Sequence, residues 1–157
     1  MRAQFSPRVT LPDVCIRDSR TGKGRGVFAR RAFGEGEVVE ICPVMVLVMP
    51  YAHLPKDLRT KVFHWESHPT GKPELARQAL ALGYGSLYNS SNPANIRYRC
   101  SKSELTIEFI AERDIRKGEE LTINYSGEDG YPSSNDDSWF VDKGIVPIRE
   151  SNLQLFL

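Results

Sequence analysis

The stretch Gly118-Glu119-Glu120-Leu121-Thr122-Ile123-Asn124-Tyr125 decides how the rest of the chain is read. Arg116-Lys117-Gly118 is a turn signal, and the short apolar, partly β-branched run Leu121-Thr122-Ile123 behind it predicts a strand. Taken alone, the segment is a turn, an edge strand and a half-buried tyrosine. A second segment lies upstream, Leu87-Tyr88-Asn89-Ser90-Ser91-Asn92-Pro93-Ala94-Asn95. Its chemistry is that of a polar turn in which Pro93 restricts its neighbours. A third, Gly22-Lys23-Gly24-Arg25-Gly26, precedes the extended run Val27-Phe28-Ala29. It is open to three readings: a phosphate-binding loop, a plain glycine-rich turn, or backbone left bare so that a ligand can touch it. The phosphate reading needs a Walker-type Lys-Ser/Thr ending and a helix after Gly26; the ending is absent and a strand is expected there.

Working outward, short strands are predicted at Val14–Arg17, Val38–Ile41, Val44–Val48, Ile96–Cys100 and Leu105–Ala111. The last two are joined by the polar Ser101-Lys102-Ser103-Glu104, a hairpin signal. Phe33-Gly34-Glu35-Gly36-Glu37 reads as a tight turn. Between Pro55 and about Leu82 the spacing of Leu58, Val62 and Phe63 predicts helix, as does Glu74–Leu82 with its leucines and alanines. His64 and His68 would then share one helix face, but no further metal ligand is evident nearby and no metal is expected. Many short strands around a small helical insert give an α+β, mainly β domain.

The 157-residue chain is long enough to build its own core, and its composition is that of an ordinary soluble protein. No signal peptide is evident, and Val44–Met49 is too short to span a bilayer. An intracellular protein, cytoplasmic or nuclear, is expected. Cys15, Cys42 and Cys100 form no CxxC pair and read as reduced thiols. A net charge of +1 argues against a dedicated nucleic-acid binder. From Glu112 to Asp142, however, nine acids face three bases. Such a stretch can attract a lysine-rich peptide or be a solvated face. The apolar tail Leu153–Leu157 can pack on the body or on a second subunit, as in a homodimer.

Together and in this order, the three segments resemble the motifs of SET-domain protein-lysine methyltransferases. Gly24-Arg25-Gly26-Val27-Phe28-Ala29 is similar to the first motif, whose backbone lines the S-adenosylmethionine pocket in that family. Asn89, Ser91 and Asn95 match by position a motif that usually reads Arg-Phe-x-Asn-His-Ser-Cys-x-Pro-Asn. This chain departs from it: Ser90 replaces the histidine, Pro93 sits one place early, and Gly85-Ser86 stand where an arginine is often found. Gly118–Tyr125 closely matches Gly-Glu-Glu-Leu-Thr-x-x-Tyr. The resemblance covers roughly Arg17 to Tyr125.

The resemblance implies a fold of several small sheets with a C-terminal pseudoknot that brings the second and third motifs together. It divides the chain into an arm (1–13), a SET domain (14–127) and a C-terminal segment (128–157). No cysteine follows Cys100, so the zinc site that many histone methyltransferases carry there is not expected. It further implies that Lys23, Gly24, Arg25, Gly26, Tyr88, Asn89 and Ser90 hold S-adenosylmethionine, with Trp139 covering it. Tyr84, Tyr98, Ile123, Tyr125 and Phe140 would line a lysine channel, and Tyr125 would be catalytic. The substrate would be a lysine-containing protein or peptide, such as a histone-like tail. Tyr98 beside Ile123 leans towards mono-methylation. The alternative is a catalytically weak SET-like module that binds a peptide or partner.

Overall fold

A computed structural model describes residues 9–72, 75–125 and 130–133. The chain forms two compact units that interleave along the sequence. One takes residues 12–39, 87–99 and those from 109 onward; the other takes those up to 11, 40–86 and 100–108.

The first unit contains a four-stranded sheet of β1 (Val14–Asp18), β2 (Arg25–Ala29), β6 (Asn89–Ser90) and β9 (Glu120–Ile123), ordered β1-β2-β9-β6. The glycine-rich loop leads into strand rather than helix, which removes the phosphate-loop reading. β1 and β2 pair antiparallel from Val14↔Ala29 to Asp18↔Arg25. β2 then pairs antiparallel with β9 through Val27↔Leu121 and Phe28↔Glu120. β6 joins β9 in parallel, Asn89↔Thr122 and Ser90↔Ile123. The predicted strands at Val27 and Leu121 are therefore central, and both residues are completely buried. Phe33, Tyr88, Ile96, Phe109 and Ile115 complete this apolar core. Each such side chain contributes roughly 1.5–3 kcal/mol on burial.

Two turns in this unit share one construction. In Arg31–Glu37, the Arg31 guanidinium donates to the Ala32 carbonyl (2.8 Å) and to Glu37 Oε1 (2.6 Å), and Glu37 Oε2 accepts from the Gly34 N–H (2.9 Å). In Arg113–Glu119, Arg113 donates to the Asp114 carbonyl (2.8 Å) and to Glu119 Oε2 (3.0 Å), and Glu119 Oε1 accepts from the Arg116 N–H (2.9 Å). Gly36 (φ 79°) and Gly118 (φ 91°) occupy the left-handed position each turn requires. The two turns are joined by a Phe33↔Ile115 bridge with bonds in both directions (3.0 and 2.8 Å).

The second unit overturns part of the helical expectation. A short helix, α1 (Lys56–Arg59), does form behind Pro55. Val62–Glu66 is strand β4 and Arg77–Ala81 is strand β5. Residues 63–66 alternate buried with exposed, the period of a strand, and Val62, Phe63 and Trp65 favour it. Ala79 and Leu80 are good helix formers by propensity. They are held extended because β5 pairs on both sides, with β4 (Val62↔Leu80, Phe63↔Ala79) and with strand β3, Val38–Leu47 (Val46↔Ala79, Met45↔Leu80). His64 and His68 consequently share no helix face; His64 meets Ser67 (3.3 Å) and His68 meets Thr70 (2.8 Å). The expected strands at Val38–Ile41 and Val44–Val48 fuse into one, β3 (Val38–Leu47). Pro43 is tolerated because pairing with β5 begins only at Val44, while its carbonyl accepts from Leu82 N–H (2.9 Å).

The hairpin strands appear as β7 (Ile96–Ser101) and β8 (Thr106–Ala111), neighbours in a five-stranded sheet ordered β4-β5-β3-β8-β7. The three cysteines are free thiols, and burial pushes that of Cys42 up to about 12. Among the described residues no helix is long and apolar enough to cross a membrane, and no three His, Cys, Asp or Glu side chains could hold a metal.

The twin turns give a first test. The Arg31 hydrogen bond, then the Gly34 N–H, hold the Glu37 carboxyl below its ordinary value. A depressed carboxylate contributes stability above its unfolded value, near 4.5, that is lost as pH falls through the folded value. Glu37→Gln should cost about 0.5 kcal/mol at neutral pH, because solvent screens this half-exposed pair. It should also flatten acid unfolding below about pH 4.5. Urea melts followed by circular dichroism across that range check both.

Candidate active site

The parallel pairing of β6 with β9 brings the asparagine segment alongside Gly118–Tyr125. Asn95 reinforces it. Its Nδ2 donates to the Glu120 carbonyl (2.8 Å), and its Oδ1 accepts from the Thr122 N–H (2.8 Å). Ser91 N–H donates to the Ile123 carbonyl (3.0 Å), and Ser91 Oγ donates to the Pro93 carbonyl (2.8 Å). The Asn92–Pro93 peptide is cis. The short stretch 130–133 returns to the same place: the Pro132 carbonyl accepts from Ala94 N–H (2.8 Å) and Asn124 Nδ2 (3.4 Å). Gly130 lies so close to Tyr98 that a Cβ there would collide with the Tyr98 carbonyl.

The glycine loop is tied in by a side chain. Lys23 Nζ donates to the Ser90 carbonyl (2.8 Å). Its pKa is lowered, chiefly by burial, with Glu120 opposing that shift. Asn89 Nδ2 donates to the Arg25 carbonyl (3.2 Å) and to Glu120 Oε1 (2.7 Å). Gly26 makes this possible, because a Cβ there would collide with the Glu120 carboxylate and lie 3.1 Å from Asn89 Nδ2. Burial raises the Glu120 pKa; the Asn89 hydrogen bond, then Lys23 and Arg17, work against that rise.

Tyr125 follows β9 and its hydroxyl donates to the Tyr88 carbonyl at 2.6 Å. Burial, with a lesser contribution from Glu120, pushes its phenol up to about 12. The group therefore stays protonated at physiological pH. The Tyr88 ring packs on Phe109 (5.0 Å between centroids) and is almost fully buried, so this residue faces the site with backbone. Tyr98 sits on β7, and its ring also meets Phe109 (6.2 Å between centroids). Ile123, 2 % exposed, is paired with Ser90.

The unit thus brings together Lys23, Arg25, Gly26, Tyr88, Asn89, Ser90, Ile123 and Tyr125, with Gly24 on the same loop. Tyr84 belongs to the other unit, where its N–H donates to Glu40 (2.9 Å). Trp139, Phe140 and the tail lie outside the described residues. Of the acids in the 112–142 stretch, Glu112 pairs with Arg97 (3.1 Å), Glu119 with Arg113 (3.0 Å), and Asp114 accepts from the Glu35 N–H (2.9 Å). Those three are engaged locally, and Glu128, Asp129, Asp136, Asp137 and Asp142 lie outside the described residues. Sequence reasoning placed Asn95 and Glu120 within the motifs but gave neither a role; the signals available were the Asn95 motif match and the glutamate doublet.

Comparison with known proteins identifies the family. The SET-domain family model matches residues 24–126. The chain belongs to the SET-domain family, whose enzyme class is protein-lysine N-methyltransferase. It is 28 % identical over 139 residues to the histone-lysine N-methyltransferase specific for H3 lysine-37 of Schizosaccharomyces pombe, spanning 87 % of this chain and 82 % of that one. Among solved structures, a Plasmodium falciparum histone methyltransferase superposes with a TM-score of 0.56 at 24 % identity, covering 76 % of this chain and 97 % of that one. The Ezh2-containing Polycomb complex of Chaetomium thermophilum gives 0.58 at 19 % identity, over 94 % of this chain and 24 % of that one. These last two likenesses concern the fold.

Asn95 supplies a prediction. Asn95→Ala would leave the Thr122 N–H and the Glu120 carbonyl without their side-chain partner in a buried setting. The cost should be about 2–3 kcal/mol. Equilibrium denaturation measures it, and a loss below about 0.5 kcal/mol would show that β6 and β9 hold together without this clamp.

Proposed function

We propose that the chain transfers a methyl group from S-adenosylmethionine to the side-chain amine of a lysine in a protein, a histone or another basic protein. The observation that supports this best is the Tyr125 hydroxyl bound to the Tyr88 carbonyl, one residue before the Asn89-Ser90 strand. It sets the candidate catalytic phenol beside the candidate cofactor segment. The named activity of the Schizosaccharomyces pombe relative favours a histone substrate.

The residues present suit a ligand carrying both charges. Asn89 directs a carboxamide at it, Lys23 brings a cation, Glu120 brings a carboxylate, and Ser90 Oγ is a buried hydroxyl with no hydrogen-bond partner. When bound, the cofactor supplies an electrophilic methyl on sulfur. The protein has to present a neutral amine in line with it and exclude water. Tyr125, with its pKa near 12, is a poor general base. Its proton points at the Tyr88 carbonyl, so its oxygen acts as an acceptor that orients the amine. Tyr98 and Ile123 are the wall residues proposed to restrict the number of methyl groups.

Calorimetry with S-adenosylmethionine, followed by radiolabel transfer to mixed basic proteins, tests the reading. Wild-type protein should bind and label. Tyr125→Phe should still bind the cofactor but label at least about tenfold more slowly, the loss expected of one positioned hydroxyl. Equal labelling would reject Tyr125.

One observation favours a second reading, a catalytically weak peptide- or partner-binding module. Ser90 Oγ stands unpartnered where the family has histidine. Ser90→Ala should stabilise the ligand-free protein by up to about 1 kcal/mol, since it removes an unsatisfied buried hydroxyl. A weaker cofactor affinity in the same variant would assign that hydroxyl to the cofactor and support the enzyme reading. Unchanged affinity together with undetectable transfer by the wild type would favour the module.

A further inference from the structure

Both protons of the Asn89 Nδ2 group are used, one on Glu120 Oε1 (2.7 Å) and one on the Arg25 carbonyl (3.2 Å). The reversed carboxamide would set Oδ1 against a carboxylate and a carbonyl. Two hydrogen bonds would become two repulsions between acceptors, so the surroundings fix the orientation. Asn89 Oδ1 has no protein partner among the described residues. It is also not sealed in, since among the described residues the buried side-chain atom left unpaired is Ser90 Oγ. The outward group is therefore an acceptor, and a ligand must bring a donor to it.

We infer that Glu120 is a positioning residue for the cofactor: its carboxylate turns the Asn89 carboxamide so that Oδ1 accepts from the α-ammonium of the bound amino-acid moiety. This rests on the S-adenosylmethionine reading above. The backbone is built to allow it, because Gly26 leaves open the space through which the carboxylate reaches Asn89. The two glutamates of the doublet divide their work: Glu119 closes its turn through Arg113 and the Arg116 N–H, and Glu120 turns towards Asn89. A carboxylate here also favours a cationic ligand over a neutral one.

The charged and titratable groups facing Glu120 are Lys23 from the glycine loop, Arg17 from β1 and Tyr125 after β9; β6 presents Asn89, and β2 presents the Gly26 backbone. Lys23 and Arg17 favour the ionised carboxylate, and burial opposes it. As pH falls through the raised value, Glu120 gains a proton and its hold on the Asn89 orientation weakens. Cofactor affinity should fall with it.

The test is calorimetry with S-adenosylmethionine from about pH 8 to about pH 5, beside the side-chain amide signals of Asn89 in nitrogen-15 spectra of the ligand-free wild type. In the wild type the affinity should drop and the Asn89 signals should shift over the same pH interval. Glu120→Gln can still accept from Asn89 but does not titrate, so its affinity should be weaker by about tenfold at the upper pH and nearly independent of pH. Glu120→Ala should be weaker again. The amide titration needs no variant, so it decides the point even if a substitution impairs folding. An Asn89 signal indifferent to pH would overturn the inference, as would a Glu120→Gln profile matching the wild type. Absence of binding by the wild type would overturn the cofactor reading and this inference with it, whereas binding with an unchanged Glu120→Gln profile overturns this inference alone.

Discussion

Two residues of β6 lying parallel to β9 are the constraint on which the site depends. A parallel pair cannot be made by a tight turn; it needs a long crossover to bring the strands side by side. Here the crossover is most of the sequence between Ser90 and Glu120. Two residue pairs are a small contact for so long a loop, and loop closure costs entropy whatever the contact is worth. Asn95 adds what the strand lacks, a side chain that mimics another rung by bonding both the Glu120 carbonyl and the Thr122 N–H. Once that register is set, the other site contacts follow: Asn89 meets Glu120, Lys23 reaches the Ser90 carbonyl, and Tyr125 emerges beside Tyr88.

Burial sorts the titratable groups into distinct tasks. Tyr125 is kept protonated, its hydroxyl donating to the Tyr88 carbonyl. Glu120 is made easier to protonate and Lys23 easier to deprotonate, each by the same removal from water and each restrained by the other's charge. The half-exposed carboxylate of Glu37 goes the opposite way because its partners outweigh desolvation. Thus similar residues only a few strands apart differ in whether charge is structural or poised.

The strands around the site were legible in the sequence because their cues are local. Gly26 before Val27-Phe28-Ala29, and Gly118 before Leu121-Thr122-Ile123, each announce a turn and an apolar run. The segment Arg77–Ala81 was misread because its alanines and leucine favour helix, and pairing on both flanks overrode that preference. The same limit explains Glu120. Nothing within a few residues of it reports the carboxamide of Asn89, which arrives from 31 positions away. Motif order pointed to Asn89 and Tyr125, but the groups that orient them became visible only when the chain was folded.

The twin turns at Arg31–Glu37 and Arg113–Glu119 carry one more consequence. Both place arginine first, glycine sixth and glutamate seventh, yet their middles differ: Gly34-Glu35 in one, Arg116-Lys117 in the other. The same bonds form regardless, because they run from backbone groups to the two terminal charges. The identity of such a turn therefore resides in those three positions and in the buried apolar third residue, Phe33 or Ile115, that bridges the pair; the fourth and fifth side chains are not used by these bonds. Lineages of this fold can redecorate these two corners, changing how the molecule looks to its surroundings, while the strands that converge on the asparagine segment stay as they are.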